Sequence, residues 1–114
     1  AMHHHLQNVN SEWLDTQKIK NGQELLKIVS KHNNVRVLLC GHVHQESDEG
    51  RENLRFISTP STCFQFKPQS HSFALDSIGP GYRWVELYGN GRINTGIRRL
   101  KNFHYDINNI SIGY

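Results

Sequence analysis

The chain has 114 residues, of which 36% are hydrophobic and 20% are charged, and this balance indicates one small globular domain over residues 1–114. The formal net charge is +3 with histidine counted as neutral, and this small, dispersed excess argues against a nucleic-acid polymer as a partner. No apolar run approaches the roughly 18 residues of a membrane span, no secretory leader is visible, and the composition excludes collagen-like, coiled-coil and disulfide-scaffold proteins.

The first twenty residues contain a histidine triplet and little apolar periodicity. Ala1 and Met2 resemble start or vector-derived residues, so the triplet His3-His4-His5 is either the remnant of a purification tag or native sequence. Residues 6–20 predict a loop, in which one Trp-Leu pair is the strong apolar anchor.

One main helix is predicted next. Asn21 followed by Glu24 is typical of a capping box at a helix N-terminus. Apolar residues then recur on one face from Leu25 onward, so the helix should run from about Gly22 to about His32, where an Asn-Asn pair ends it.

The rest of the chain predicts β-structure. Residues 35–40 are β-branched and apolar and predict a buried strand, whereas the polar residues 45–53 predict a loop or a hairpin turn. Residues 54–59 and 61–66 predict two further strands, which Pro60 separates.

A hairpin gives the clearest β signal. The turn sequence Gly89-Asn90-Gly91 separates two strand patterns at residues 82–88 and 92–100, and a Gly-Pro-Gly turn at 77–81 precedes them. The polar residues 102–114 predict an irregular tail. A helix followed by a buried strand indicates an α/β unit.

The segment that can carry chemistry is Gly41-His42-Val43-His44, directly after the buried strand. In an extended segment residues i and i+2 point to the same side, so two imidazoles can aim at one place. Imidazoles at the carboxyl end of a strand suit a transition-metal site. The ordinary alternative is a pair of surface or half-buried histidines without a ligand.

The sequence Cys-Gly-His-Val-His-Gln at residues 40–45 resembles the last metal-binding block of the calcineurin-like metallophosphoesterases. Three further stretches, at residues 13–15, 59–68 and 80–84, resemble one branch of these enzymes, the bacterial 3',5'-cyclic AMP phosphodiesterases. The resemblance runs from the first histidines to Tyr114, and the sequence Thr-Pro-Ser-Thr-Cys is specific to the branch.

The resemblance implies a fold and a site. The fold would be an α/β, α+β-like fragment, the C-terminal half of a four-layer α/β/β/α sandwich, with mostly one mixed sheet and one main helix. The family site holds two metals bridged by an aspartate and a hydroxide. His4 stands where the family has a histidine ligand, with His5 as the alternative, and this favours a native triplet. His42 would join His4 at one metal, and His44 would bind the other. The candidate substrate-binding residues are His5, Thr62 and Cys63.

The family's upstream Asp-x-His, Gly-Asp and Gly-Asn-His blocks are absent from this sequence, so no complete catalytic set is present. The resemblance implies part of an enzyme that hydrolyses cyclic AMP to 5'-AMP with two divalent or trivalent metals such as iron, manganese or zinc. The chain alone is expected to be inactive and to hold at most one weakly bound ion. The alternative is a truncated, non-catalytic module that self-associates and binds a single transition metal.

Association is expected in either case. Half of a sandwich leaves an apolar face uncovered, so a homo-oligomer or a strand-exchanged dimer is predicted. Cys40 and Cys63 are too few for a disulfide framework, and without a visible leader both are expected to be reduced thiols in a cytoplasmic protein with no membrane partner.

Overall fold

The computed structural model describes residues 1–51 and 53–103. The prediction of an α/β, α+β-like fragment is confirmed, because short helices precede a mixed sheet and two antiparallel sheets. The strands are divided among these three sheets, of which the mixed sheet is the largest. From position 104 onward the predicted irregular tail at 102–114 lies outside the described residues. The elements are α1 (Glu12–Asp15), α2 (Gly22–Val29), β1 (Val37–Cys40), β2 (Ser47–Arg51), β3 (Leu54–Ser58), β4 (Gln65–Phe66), β5 (Leu75–Asp76), β6 (Gly81–Leu87) and β7 (Ile93–Arg99).

The largest sheet has three strands in the order β1-β3-β2 and is mixed. β1 and β3 run parallel, and β2 runs antiparallel to β3 with Ser47 opposite Ser58. Of the two alternatives predicted for residues 45–53, a loop or a hairpin turn, the structure shows a hairpin, in which Ser47–Arg51 pairs with the strand that follows it. The loop alternative was wrong for Ser47–Arg51. β2 lies at the edge of the sheet, and its residues 48–50 are exposed, so no apolar alternation is imposed on these three residues.

The predicted hairpin is confirmed, since β6 and β7 pair antiparallel over their full lengths. Gly91 has a φ of 80° in the connecting turn, a conformation that glycine adopts without steric cost. Arg83 on β6 fastens the hairpin to the three-stranded sheet, because its guanidinium donates to the backbone oxygens of Ser47 and Ser58 at 2.9 Å each.

The third sheet consists of β4 and β5, which pair over two residues each. The strand predicted at 61–66 is thus shortened to Gln65–Phe66. The side chain of Gln65 gives the reason: its Nε2 donates to Ser61 O at 2.8 Å, and its Oε1 accepts from Ser61 N–H at 3.1 Å. These bonds fold residues 61–64 into a turn.

The first helix lies where a loop was predicted. The four-residue α1 buries Leu14, which is the apolar anchor of that segment. Its sequence shows no helical periodicity because one turn is too short to present any.

The second helix begins at Gly22 as predicted and ends at Val29, before the predicted end near His32. Residue 32 instead closes a tighter turn, in which its N–H donates to Val29 O. Asn21 makes no side-chain cap hydrogen bond, so the predicted capping box is absent. The Asn21 φ and ψ of −96° and 28° lie outside the extended region that a capping side chain normally requires.

The buried core is small. Leu14, Val43 and Phe66 form one cluster, and Ile57 is buried in β3. In the described part of the chain, no helix has the length and apolar character needed to cross a lipid bilayer.

Candidate metal centre

Residues 2–5 lie beside β1, and this pairing brings the histidine triplet to the end of that strand. Met2 N–H donates to Leu39 O at 2.9 Å, and Gly41 N–H donates to His3 O at 3.1 Å. Met2, which the sequence suggested as a start residue, is therefore integrated into the fold through an isolated parallel bridge to β1. Main-chain hydrogen bonds set where the triplet lies.

The segment Gly41-His42-Val43-His44 is not extended, so that premise of the sequence analysis was wrong. His42 and His44 have φ values of 61° and 49°, and Val43 N–H donates to Gly41 O at 2.6 Å across a tight turn. Such left-handed residues cost about 1–2 kcal/mol each. Val43 is fully buried in the core, and this burial offsets the strain. The turn sends the two imidazoles to different surroundings.

His3, His4 and His42 form an imidazole cluster, in which one ring nitrogen of each lies within 4.8 Å of the other two. Nδ1 of His42 lies 3.3 Å from Nε2 of His3, and the ring centroids of His4 and His42 are 4.1 Å apart. His3 and His4 are exposed and His42 is half-buried, so the imidazole cluster opens to solvent. The expected proximity of His4 and His42 is present, and His3 joins them.

The electrostatics of the imidazole cluster favour a neutral His42 ring. Burial, together with the neighbouring His4 and His3, lowers the pKa of His42 to about 4. Its ring is therefore neutral at pH 7 and keeps a lone pair for a ligand. Three imidazoles fit one transition-metal ion with an open position. Among the described residues no carboxylate belongs to the cluster, so this donor set fits one ion better than two.

His44 lies against aromatic rings. It stacks on Phe66 with centroids 4.3 Å apart and planes 4° apart, and it contacts the Phe64 ring at 5.3 Å. Burial lowers the pKa of His44, and a hydrogen bond with the Phe64 backbone opposes that shift. Its Nδ1 is buried without a hydrogen-bond partner in residues 1–51 and 53–103. The expectation that His44 binds a different metal from His42 stays a prediction, and the geometry separates the two rings.

His5 is buried beside the imidazole cluster and does not belong to it. Its ring stacks at 6.1 Å from the His42 ring, and its Nε2 lies 3.7 Å from Asp15 Oδ1. Burial lowers the pKa of His5, and the neighbouring Asp15 opposes that shift. Neither ring nitrogen has a hydrogen-bond partner in the part of the chain that the structure describes. A substrate contact by His5 stays a prediction.

Thr62 and Cys63 are exposed in the turn that precedes Phe64. The contact between Phe64 and His44 places this turn beside His44. Both cysteines are free thiols, and Cys40 at the end of β1 is half-buried. The substrate-binding roles of Thr62 and Cys63 stay predictions.

The sequence analysis missed Gln17. Its Oε1 lies 2.8 Å from Nε2 of His42, on the side of the ring away from His3. No local pattern connects two residues that are 25 positions apart, so only the folded chain reveals this contact.

Comparison with curated proteins finds several that are named as cyclic-nucleotide phosphodiesterases. No protein-family profile matches the chain. The 3',5'-cyclic adenosine monophosphate phosphodiesterase of Pseudomonas aeruginosa is 40% identical over 114 residues, all of this chain and 42% of that protein. The enzyme of the same name from Escherichia coli (strain K12) is 41% identical over 113 residues, 99% of this chain and 41% of that protein.

A 3',5'-cyclic-nucleotide phosphodiesterase of Nostoc sp. is 40% identical over 100 residues, 88% of this chain and 38% of that protein. The chain thus spans about two-fifths of the length of the curated relatives it matches. The resemblance to this branch that the sequence predicted is confirmed.

Proposed function

We infer that this chain, a homologue of part of the bacterial cyclic-nucleotide phosphodiesterases, is the C-terminal part of an enzyme that hydrolyses 3',5'-cyclic AMP to 5'-AMP. The observation that carries the proposal is the similarity along the whole chain to proteins of that name. The convergence of His3, His4 and His42 at the end of β1 supports it, because phosphodiester hydrolysis at neutral pH needs a group that activates water.

The residues of this chain would hold metal ions and orient the ligating imidazoles. His3, His4 and His42 would hold one transition-metal ion, and the left-handed turn around the buried Val43 keeps His42 pointed at the other two. His44 would present its unpartnered Nδ1 to a second ion. When bound, such a pair of ions offsets the charge on the phosphodiester oxygens and lowers the pKa of a coordinated water to near neutral. The exposed rings of His3 and His4 leave the phosphodiester a path from solvent.

A non-catalytic module is the second candidate. The imidazole cluster is assembled from this chain alone and includes no carboxylate from the described residues. Two dications need anionic ligands to offset their repulsion, so the isolated chain should bind one ion weakly and should not turn over substrate.

Hydrolysis of cyclic AMP by the full polypeptide that contains this chain tests the proposal, with manganese or iron added. We expect activity in the wild type and its loss in His42→Ala and His44→Ala. His32→Ala is the matched control, because His32 is exposed and lies outside the imidazole cluster. The phosphodiesterase proposal would be refuted if the full polypeptide did not hydrolyse cyclic AMP, or if the His42→Ala variant were as active as the control. Zinc binding without hydrolysis would then favour the module.

A further inference from the structure

Gln17 contacts the candidate metal centre from a separate part of the fold. Gln17 follows α1, and its N–H donates to Leu14 O at 2.8 Å. This hydrogen bond fixes the Gln17 backbone beside the imidazole cluster. Its side-chain Nε2 donates to Trp13 O at 3.4 Å. That bond sets the orientation of the amide, because a flipped amide would place oxygen against oxygen. Oε1 therefore faces His42.

The contact from Gln17 determines which nitrogen of His42 carries hydrogen. An amide oxygen only accepts, so Nε2 of His42, at 2.8 Å from Oε1, must donate. A neutral imidazole has a single N–H, and the lone pair then resides on Nδ1. Nδ1 is the atom that faces His3 Nε2 at 3.3 Å. The tautomer that Gln17 selects is thus the one that turns a lone pair toward the imidazole cluster.

We propose that Gln17 is a positioning residue, which holds His42 in the Nε2–H tautomer and presents Nδ1 to the metal ion. The inference rests on the metal-binding part of the proposed function. Ligating histidines commonly donate their other ring N–H to a fixed acceptor, and loss of that acceptor lowers metal affinity by about 10–100-fold.

The first test measures the tautomer without metal or activity. The full polypeptide that contains this chain is labelled with ¹⁵N in histidine, stripped with a chelator, and studied by two-bond ¹H–¹⁵N correlation. The His42 signals are assigned by their loss in His42→Gln. We expect the Nε2–H pattern in the wild type, a tautomer mixture in Gln17→Ala, and recovery in Gln17→Glu, which keeps an acceptor oxygen. Gln23→Ala, an exposed glutamine on α2, should behave like the wild type.

The second test is a zinc titration of the same proteins. Gln17→Ala should bind zinc about 10–100-fold more weakly than the wild type, whereas Gln17→Glu and Gln23→Ala should not weaken. A Gln17→Ala variant with wild-type tautomer and wild-type affinity overturns the positioning role alone. A wild-type protein that binds no zinc overturns the metal centre itself, so the two failures are distinct.

Discussion

Replacing Arg83 by methionine tests whether one side chain holds the β6–β7 hairpin to the three-stranded sheet. The Arg83 side chain is 5% exposed, and its Nε and Nη2 donate to the backbone oxygens of Ser58 and Ser47 at 2.9 Å. Nη1 makes a longer contact of 3.3 Å to Thr95 Oγ1. Methionine keeps an apolar stem of similar length and donates no hydrogen bond, so both backbone oxygens lose their partner.

The expected loss follows from the two short contacts. A hydrogen bond to a charged group contributes about 1.5–3 kcal/mol net, so two contribute about 3–6 kcal/mol. Desolvation opposes them, since burial lowers the pKa of the Arg83 guanidinium and the variant no longer buries a charge. We therefore expect the free energy of unfolding to fall by about 3 kcal/mol, a large part of the roughly 5–15 kcal/mol typical of a domain.

Urea unfolding measures this loss, with the fluorescence of Trp84 on β6 as a reporter for the hairpin. Arg98→Met is the matched control, because Arg98 is exposed on β7 and its change should stay within about 0.5 kcal/mol. Equal losses in the two variants would mean that Arg83 does not fasten the hairpin.

Three further measurements examine other parts of the molecule. Cys63 is exposed, whereas burial raises the pKa of the Cys40 thiol. A disulfide reagent should therefore modify Cys63 much faster than Cys40 under native conditions, and equal rates would contradict this difference in burial. Hydrogen bonding to the Arg55 side chain holds the pKa of Asp48 below its ordinary value. The resulting stabilisation is fully present above that ordinary value and is lost as the pH falls through the lowered pKa. Asp48→Asn should therefore lower the urea midpoint more at about pH 6 than at about pH 2, and an equal effect at both would refute the ion pair. Leu87 is 77% exposed on the hairpin, so we expect light scattering to find a dimer or larger assembly that the Leu87→Lys variant disrupts. A wild-type monomer at high micromolar concentration would rule this association out.

The sequence predicted those elements whose conformation depends on neighbouring residues. The hairpin follows from a Gly-Asn-Gly turn between two strand-forming runs, and β1 follows from an apolar run. The edge strand β2 and the single turn of α1 carry no such pattern, because their conformation depends on β3 and on the burial of Leu14. Their sequences alone resemble loops.

The candidate site likewise has features that the sequence predicted and features that depend on long-range packing. The sequence predicted that His4 and His42 would meet, and the structure brings their rings to 4.1 Å. It did not predict the left-handed turn at His42, because Val43 is drawn into a core whose other members, Leu14 and Phe66, lie far away in the sequence. The contacts of His42 with His3 and Gln17 depend on the same long-range packing.

The backbone hydrogen bonds of Met2 and His3 with β1 and Gly41 close a loop, since His3 and His42 are 39 positions apart. An ion shared by His3, His4 and His42 would act on this loop as a reversible cross-link. By chain entropy, a link across such a loop stabilises the folded state by up to about 4 kcal/mol. That is comparable with the entire stability of a marginal domain. Metal supply would then shift the folding equilibrium of the protein, and metal removal would lower its free energy of unfolding.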